Sequence, residues 1–146
     1  QADVIKASDE DLAVLLVPGE GALAQARQLL QSTRAGVLAL TLGGEGAALL
    51  ARNGQTFVAR ETAPITVADT VGAGDCFLAG WVAAMLDHRL PADWGKAPVS
   101  ASVAQDVLCR AVASASLCVM RRGCVPPTRT EVADRLAQVS MVFKSV

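Results

Sequence analysis

The sequence of 146 residues predicts an α/β fold, in which a mostly parallel sheet is flanked by helices. Short apolar runs typical of strands alternate with longer segments whose apolar residues recur at helical spacing. The near-continuous apolar run at 37–42 is typical of a buried strand in a mostly parallel sheet. Apolar residues make up 52% of the chain, which is enough for a substantial core, and the length fits one domain or a large piece of one.

The N-terminal residues predict a short strand followed by a helix. The strand is Val4–Lys6, and Ser8 is placed to cap the helix because Asp11 follows three residues later in the spacing of a capping box. This helix is predicted to pass through Leu16 and to end near Pro18, since proline and glycine interrupt helices.

A second helix, a buried strand and a hairpin follow. The segment 21–32 carries leucines and alanine on one helical face, and the apolar strand at 37–42 comes next. The runs 47–51 and 56–59 flank Asn53-Gly54, a pair that favours the tight turn of a β-hairpin.

Three helices are predicted in the second half of the chain. The segment Ala73–Asp87 is apolar nearly all round and is expected to be buried. Ser100–Met120 is a long helix with an apolar stripe. After the rigid turn at Pro126-Pro127, Thr130 is predicted to cap a last helix that runs from Glu131 to about Phe143.

Composition excludes several classes of partner. The net charge of −1 gives no reason to expect nucleic acid or an anionic membrane as a partner, and aromatic residues make up only 3% of the chain. The longest apolar stretches are shorter than a bilayer requires. We therefore expect neither nucleic acid nor a membrane as a partner.

The four cysteines form no Cys-x-x-Cys pair and there is one histidine, which argues against a zinc site. They are interpreted as reduced core thiols, which predicts a cytoplasmic protein. The chain begins at Gln1 without a starting methionine or a signal-peptide pattern, and its first residues read like the middle of a strand. This pattern predicts that the chain is a fragment.

The most informative segment is Asp69-Thr70-Val71-Gly72-Ala73-Gly74-Asp75, which leads directly into an apolar helix. Gly72, Ala73 and Gly74 let the backbone approach a ligand, and the start of a helix offers free N–H groups and positive potential to an anion. Asp75 adds a carboxylate that can act as a base or face a metal. The combination predicts phosphoryl transfer, with donors for the moving phosphate and a base for the attacking hydroxyl.

Three alternatives to that interpretation were weighed. The loop can be a structural turn before a buried helix. A dinucleotide-binding fingerprint would need a small residue where Phe77 stands and a strand-ending acidic residue about 20 positions later, whereas Asp93 lies in a Pro/Gly loop. A P-loop needs Gly-Lys-Ser/Thr, and Gly95-Lys96 is followed by Ala97.

The segment from Asp69 to Asp75, with Ala79-Gly80 after it, resembles the second signature of the pfkB-type (ribokinase-like) carbohydrate kinases. The resemblance implies a three-layer ribokinase-like fold and ATP-dependent phosphorylation of a sugar hydroxyl. It implies that Asp75 accepts the hydroxyl proton while the backbone of Gly72, Ala73 and Gly74 holds the phosphoryl oxygens. Trp81 departs from the aliphatic or small residue that is usual in the family.

Two further segments resemble the nucleotide side of the same family. The turn Thr41-Leu42-Gly43-Gly44-Glu45-Gly46 is similar to its Thr-Leu-Gly-x-x-Gly turn, although a plain glycine-rich turn is the alternative. The segment 111–128 is similar to its adenine-side helix and loop, where an Asn that is often found appears here as Val112. The implied nucleotide contacts are Thr41, Gly43, Gly44, Gly46, Val112, Ala113 and Gly123.

The resemblance also implies cations. The segment from Ile5 to Leu12 looks like the stretch that lies near Mg²⁺ and the phosphates, with Ser8 in place of an asparagine as in fructokinase-like members. Glu10 or Asp11 would then face Mg²⁺, and a capped acidic helix start is the alternative. Related enzymes also bind a monovalent cation such as K⁺, which would implicate Asp69 and the backbone near Gly123.

The resemblance covers nearly the whole chain but only the C-terminal half of the family. It implies that residues 1–146 are the C-terminal, nucleotide-binding and catalytic part of one ribokinase-like domain, with the N-terminal sugar-binding and lid part absent. We expect the fragment alone to be inactive and the full-length protein to be a homodimer.

Lys6-x-Ser8 and the Arg-Arg-Gly…Pro-Pro-Thr ending look most like fructokinases, so fructose is the expected sugar. A 2-keto-3-deoxygluconate kinase or another ribokinase-like sugar kinase is the alternative. A non-catalytic nucleotide-binding module is a third hypothesis, which the joint presence of Asp75 and the glycines disfavours.

Overall fold

The computed structural model describes residues 2–15 and 18–146. In the described chain, helices and strands follow in the order β1 (Val4–Ser8), α1 (Asp9–Val14), α2 (Ala22–Gln31), β2 (Val37–Thr41), β3 (Ala47–Ala51), β4 (Thr56–Glu61), α3 (Ala73–Asp87), α4 (Ala101–Val119), α5 (Arg129–Gln138) and β5 (Met141–Ser145). A single 3₁₀ turn, Gly43–Glu45, connects β2 to β3. The order of strands and helices confirms the predicted α/β class.

The five strands form one sheet in the order β1-β2-β3-β4-β5. β1 and β2 are parallel, with Val4 opposite Val37, and the other three pairings are antiparallel. The part of the sheet within this chain is therefore mixed rather than mostly parallel. Connection length explains two of these three pairings, because the tight turns after β2 and at Asn53-Gly54 can join only antiparallel neighbours. The third pairs β4 with β5, which follows three helices later.

Helices cover both faces of the sheet, which gives three layers. Alternate residues of β2 point to opposite faces, so Leu38 and Leu40 pack with α1 and α2, while Val37 and Ala39 pack on the side of α3 and α4. All four side chains are completely buried. The predicted buried strand is thus explained by helices on both sides of it.

The N-terminal helix begins as predicted and ends earlier. Asp11 N–H donates to Ser8 Oγ at 3.0 Å and Ser8 N–H donates to Asp11 Oδ2 at 2.8 Å, so the capping box is complete. The helix ends at Val14, and Leu15 is its exposed C-cap residue. Leu16, through which the helix was predicted to pass, lies outside the described residues.

Helix α3 has the predicted bounds but not the predicted burial. Leu78, Val82 and Leu86 are exposed, whereas Trp81 is fully buried. The expectation of burial all round is wrong because α3 packs along α4 on one side, and no described residue covers its other side. The buried Trp81 ring packs against Trp94 of the following loop, with the ring centroids 6.3 Å apart.

The C-terminal residues differ from the prediction. Thr128, not Thr130, caps α5, since Glu131 N–H donates to Thr128 Oγ1 and the Glu131 carboxylate accepts the N–H of Thr128. The helix stops at Gln138, and the residues predicted to continue it form β5 against β4. Phe143 stacks on Phe57 of β4 at a ring-centroid distance of 5.6 Å, a contact that a helix here would lose.

The prediction that every apolar stretch is too short to cross a bilayer is wrong for helix α4. It has 19 residues with a mean hydropathy of 1.3, which is long and apolar enough to cross a membrane by length and composition. More than half of its 18-residue apolar window, 56%, is buried inside the protein. A buried core helix meets the same criteria.

Candidate active site

A cleft of about 660 Å³ opens at the carboxyl ends of the parallel strands β1 and β2. Its polar side contains Lys6 and Ser8 from the end of β1 and Thr41 from the end of β2. Its apolar side is formed by α4 and by the segment that precedes the glycine loop. Ligands of open α/β sheets bind at this end of the strands.

The glycine loop reaches the cleft at the first turn of α3. Gly72 is the N-cap residue in the left-handed conformation and supplies no side-chain cap, and Ala73 and Gly74 line the cleft. Ala73 N–H donates to the Thr70 carbonyl at 3.2 Å. Within the described residues, the N–H groups of Gly72, Gly74 and Asp75 have no acceptor. An anion at this helix start would therefore meet free donors.

Gly72 is required by space as well as by backbone conformation. Its φ is +80°, and a Cβ at this position would lie 2.1 Å from Cys124 Sγ. The loop therefore lies directly against the segment that connects α4 to α5. Any larger residue would push the two apart.

Asp75 is the third residue of α3, and its side chain is exposed. It stands at the solvent side of the helix with Leu78 and Val82, whereas Gly74 and Phe77 face the cleft. The candidate base therefore lies beside the cleft, on the same turn as the free N–H groups.

Lys6 is a residue of the site that sequence reasoning did not select. A Cβ added at Gly74 would be 3.2 Å from Lys6 Nζ, so the ammonium group lies over the glycine loop. Its nearest carboxylate oxygen is Asp11 Oδ2 at 3.8 Å, and it lines the cleft. The sequence did offer one signal for Lys6, which is its place two residues before the end of β1, the strand whose carboxyl end borders the cleft. Lys6 adds a full positive charge to the partial charge of the helix start.

The turn after β2 has two kinds of glycine. Thr41, Gly43, Gly44 and Gly46 all line the cleft. A Cβ at Gly43 or Gly44 would meet no atom within 4 Å, so the backbone is open to a ligand there. Gly46 is different, because its φ is +93° and a Cβ would lie 2.2 Å from the Ala59 carbonyl oxygen. Gly46 thus serves close packing between the turn and β4.

Helix α4 presents small or short side chains to the cleft. Val112, Ala115, Ser116 and Val119 line it, whereas Ala113 is fully buried in another direction and does not. The helical repeat explains this, since positions three and four apart share a face and neighbouring positions do not. Of the two predicted contacts on this helix, only Val112 borders the cleft.

Asp69 and Gly123 meet outside the cleft lining. Asp69 Oδ1 accepts the Val71 N–H and Oδ2 accepts the Gly123 N–H, both at 3.0 Å. These hydrogen bonds, the one from Val71 first, hold the pKa of the Asp69 carboxyl below its ordinary value. The carboxylate therefore ties the glycine loop to the α4–α5 connection.

The acidic residues at the start of α1 divide into two groups. Glu10 is exposed and lines the cleft, with Asp9 beside it. Asp11 does not line it, because its carboxylate belongs to the capping box, and the Ser8 backbone N–H is the main cause that lowers the pKa of Asp11. Glu10, and not Asp11, is therefore positioned to contact a cation in the cleft.

Glu61 is a second lining residue that the sequence did not reveal. It is buried at the end of β4 and pairs with Arg135 of α5. Its other carboxylate oxygen, Oε2, has no hydrogen-bond partner among the described residues. The pair comes from segments far apart in sequence, so no local pattern indicated it.

Comparison with known proteins gives the family. The model of the pfkB family carbohydrate kinases matches residues 1–131. The chain belongs to the pfkB family of carbohydrate kinases. The sequence resemblance is therefore confirmed, and the solved structures that the chain matches are ribokinase-fold proteins.

Three relatives illustrate the similarity to the pfkB family. The chain is 29% identical over 140 residues to a fructokinase from Vibrio alginolyticus, covering 94% of this chain and 42% of that protein. It superposes with a TM-score of 0.71 and 26% identity on Arabidopsis thaliana ribokinase complexed with ribose and ATP, covering 92% of this chain and 40% of that one. It superposes with a TM-score of 0.73 and 23% identity on fructokinase from Vibrio cholerae O395 with fructose, ADP and calcium ion bound, covering 92% of this chain and 41% of that one.

The chain thus spans about two fifths of the length of the family members it matches. Most site residues predicted from the glycine loop, the turn after β2 and helix α4 border one cleft. Those outside its lining are Asp11, Asp69, Gly72, Asp75, Ala113 and Gly123. Lys6 and Glu61 join it as unpredicted residues.

Proposed function

We propose that the protein containing this chain transfers the γ-phosphoryl group of ATP to a hydroxyl group of a sugar. One observation carries the proposal: free backbone N–H groups, the Lys6 ammonium and the Asp75 carboxylate all gather at the first turn of α3, beside a cleft large enough for a nucleotide. Family membership supports the class of reaction.

The phosphate end of ATP binds where the positive charge is concentrated. The N–H groups of Gly72 and Gly74 and the Lys6 ammonium hold the oxygens of the moving phosphoryl group, and the dipole of α3 adds to their potential. Donors fixed in place before the reaction stabilise charge that develops in the transition state. Loss of one such donor costs about 2.7–4 kcal/mol of barrier in comparable oxyanion sites.

Asp75 acts as the base. Its carboxylate accepts the proton of the sugar hydroxyl as the bond from oxygen to the γ-phosphorus forms and the bond to the β-phosphate oxygen breaks. Its exposed position on the turn that holds the free N–H groups supports this role.

The nucleoside lies between the turn after β2 and helix α4. Gly43 and Gly44 leave their backbone open to it, and Val112, Ala115 and Ser116 give a shallow wall on which a flat ring system can rest. The absence of bulky side chains on this face of α4 favours a purine.

The residues of the cleft fit Mg²⁺ that is held mainly by phosphates and water. Glu10 and Asp9 are exposed carboxylates at the edge of the cleft, suited to ligands bound through water, and Mg²⁺ keeps several waters in such sites. The ion would neutralise charge on the β- and γ-phosphates. Asp69 stays ionised against two N–H groups next to Gly123, which fits a monovalent cation such as K⁺ at that junction.

Fructose is the sugar we propose first, supported by the Vibrio alginolyticus fructokinase and by the fructose complex of the Vibrio cholerae enzyme. Ribose and 2-keto-3-deoxygluconate are the alternatives. The side of α3 that continues from Asp75 is exposed at Leu78, Val82 and Leu86. We propose that a further part of the protein covers this side and supplies the sugar contacts, so that residues 1–146 alone are inactive.

The test compares sugars and variants in the full-length protein. A coupled assay with ATP and each of the three sugars should give the highest kcat/KM with fructose. Asp75→Asn should lower kcat by about 10²- to 10⁴-fold, the usual contribution of a general base, with ATP affinity unchanged. Asp134→Asn, an exposed aspartate on α5 away from the cleft, is the matched control and should keep full activity.

Near-normal turnover by Asp75→Asn would remove this residue from the role of base. Binding of ATP by the complete wild-type protein without turnover of any sugar would favour the non-catalytic nucleotide-binding module instead.

A further inference from the structure

Three thiols come together behind the glycine loop. The Sγ atoms of Cys76, Cys118 and Cys124 all lie within 4.8 Å of one another. Cys76 is in the first turns of α3, Cys118 is near the end of α4, and Cys124 follows in the connection to α5. Their spacing along the chain gave no sign of this cluster, because the packing of α3 along α4 creates it.

We propose that Cys76, Cys118 and Cys124 form a binding site for Cu(I), held by three sulfur ligands. Sulfur ligands select soft metal ions, of which Cu(I) and Zn²⁺ are the principal ones in proteins. Protein sites for Zn²⁺ are almost always four-coordinate, and no imidazole or carboxylate joins this group in the described chain. Cu(I) is satisfied by three ligands, so it fits the donor set as it stands.

The spacing of the sulfur atoms supports the assignment. With the zinc–sulfur length of about 2.3 Å as a guide to metal–sulfur bonds, three sulfurs arranged in a plane around a central ion are about 4.0 Å from one another. The observed upper limit of 4.8 Å therefore requires a closing movement of less than about 1 Å. Cys76 and Cys118 are buried on packed helices, whereas Cys124 is exposed and can supply that movement.

The surroundings of Cys76 disfavour its thiolate in the absence of a metal ion. Burial raises the pKa of the Cys76 thiol to about 12, and the neighbouring Cys118 and Cys124 thiols add to the effect. Each thiol that becomes a ligand releases its proton to solvent, and the positive ion compensates the thiolate charge that burial would otherwise disfavour. No electron transfer is involved, since the ion binds as Cu(I) and remains Cu(I).

The cluster is in direct contact with the loop of the candidate active site. The Cys118 thiol donates to the Val71 carbonyl at 3.6 Å, Cys76 N–H donates to the Gly72 carbonyl at 2.9 Å, and Cys124 Sγ abuts Gly72. Loss of the Cys118 proton breaks the first of these bonds. If the proposed function holds, metal loading should weaken ATP binding by about threefold, the size expected from one weak S–H···O bond.

The binding test uses the full-length protein, reduced and free of oxygen. Cu(I) is titrated in competition with a chromogenic Cu(I) chelator, and one ion per chain should be withheld from the chelator. Cys118→Ser and Cys124→Ser should each abolish this retention. Cys109→Ser is the matched control, because Cys109 is a buried thiol of the same helix α4 outside the cluster, and it should retain one ion.

Each other outcome overturns the assignment. It fails if the wild-type protein retains no Cu(I), if Cys124→Ser retains as much as wild type, or if Cys109→Ser loses as much as Cys118→Ser. Retention of Zn²⁺ in place of Cu(I) against matched chelators would show a fourth ligand and would also overturn it. Circular dichroism confirms the fold of each variant, and the exposed Cys124 gives the substitution least able to disturb it.

Calorimetry with ATP on loaded and metal-free protein then separates the two proposals. Equal ATP affinity in both forms would refute the coupling to the loop. Failure of the metal-free protein to bind ATP would count against the proposed function, while the chelator competition decides the metal site by itself.

Discussion

Gly72→Ala should destabilise the protein through two separable terms. The residue has a φ of +80°, where an alanine costs about 1–2 kcal/mol relative to right-handed backbone. Its Cβ would also lie 2.1 Å from Cys124 Sγ and 2.8 Å from Cys124 Cβ, and forced repacking of this kind costs about 1–3 kcal/mol. Together the terms should lower the free energy of unfolding by about 2–5 kcal/mol.

Two glycines provide matched controls for the separate terms. Gly54 has a φ of +102° with nothing within 4 Å of a Cβ, so Gly54→Ala should show the backbone term alone. Gly44 has open space and a φ outside the left-handed region, so Gly44→Ala should be neutral or slightly stabilising. Urea unfolding of the full-length variants measures all three.

A double-mutant cycle isolates the contact with Cys124. Cys124→Gly removes the Sγ and Cβ atoms that the new methyl group would meet and leaves the Cys124 Cα at an ordinary 3.5 Å. In that background, Gly72→Ala should cost about 1–3 kcal/mol less than in wild type. If Gly72→Ala costs no more than Gly54→Ala, or if the cycle shows no coupling, the steric argument is wrong.

Three further predictions concern charged groups. Lys6→Met should weaken ATP binding by about 10- to 100-fold in calorimetry, which is the range for a hydrogen bond to a charged group. Lys96 is exposed, and Lys96→Met should leave ATP binding unchanged. Equal effects of the two substitutions would exclude a phosphate contact for Lys6. Because the pKa of Asp69 is lowered on folding, its contribution to stability is complete above pH 3.8 and is lost as pH falls through the lower folded-state value. The free energy of unfolding, measured with urea, should therefore fall more steeply below pH 3.8 for wild type than for Asp69→Asn. Parallel plots of this free energy against pH would contradict the prediction. Arg135→Met should lower the free energy of unfolding by about 3–5 kcal/mol, because it leaves the buried Glu61 carboxylate unpaired. The double variant with Glu61→Gln should recover most of that free energy, and no recovery would refute the pairing argument.

Features encoded by neighbouring residues were predictable from the sequence. The capping box of Ser8 and Asp11, the hairpin at Asn53-Gly54 and the bounds of α3 each depend on a few adjacent side chains or on glycine's conformational freedom. The glycine loop was found for the same reason, since its seven residues carry their own pattern.

Features that depend on distant contacts could not be predicted. The residues of β5 were assigned to a helix because nothing in their neighbourhood reveals the pairing of Phe143 with Phe57 on β4. The exposed side of α3 was missed because hydrophobic content indicates that a helix can be buried, not that a covering element is present. Lys6 approaches Gly74, and Cys76 approaches Cys124, only after the layers have packed.

The starts of the helices give a physical reason to place an anion at α3 rather than elsewhere. The first N–H groups of α1 and α5 are satisfied by complete capping boxes, so their helix starts are closed by the chain itself. Helices α2, α3 and α4 lack a side-chain cap, but of these three only α3 has first-turn residues, Ala73 and Gly74, that border the cleft. Omitting a cap costs about 1 kcal/mol, and here the Lys6 ammonium lies beside Gly74 of the uncapped turn. Asp75 belongs to the same turn and Asp11 Oδ2 lies 3.8 Å from Lys6 Nζ, but both carboxylates lie outside the cleft lining. Within the cleft, Gly74 and Lys6 therefore leave positive potential for solvent or a bound anion, and under the proposed function that anion is the terminal phosphate of a nucleotide.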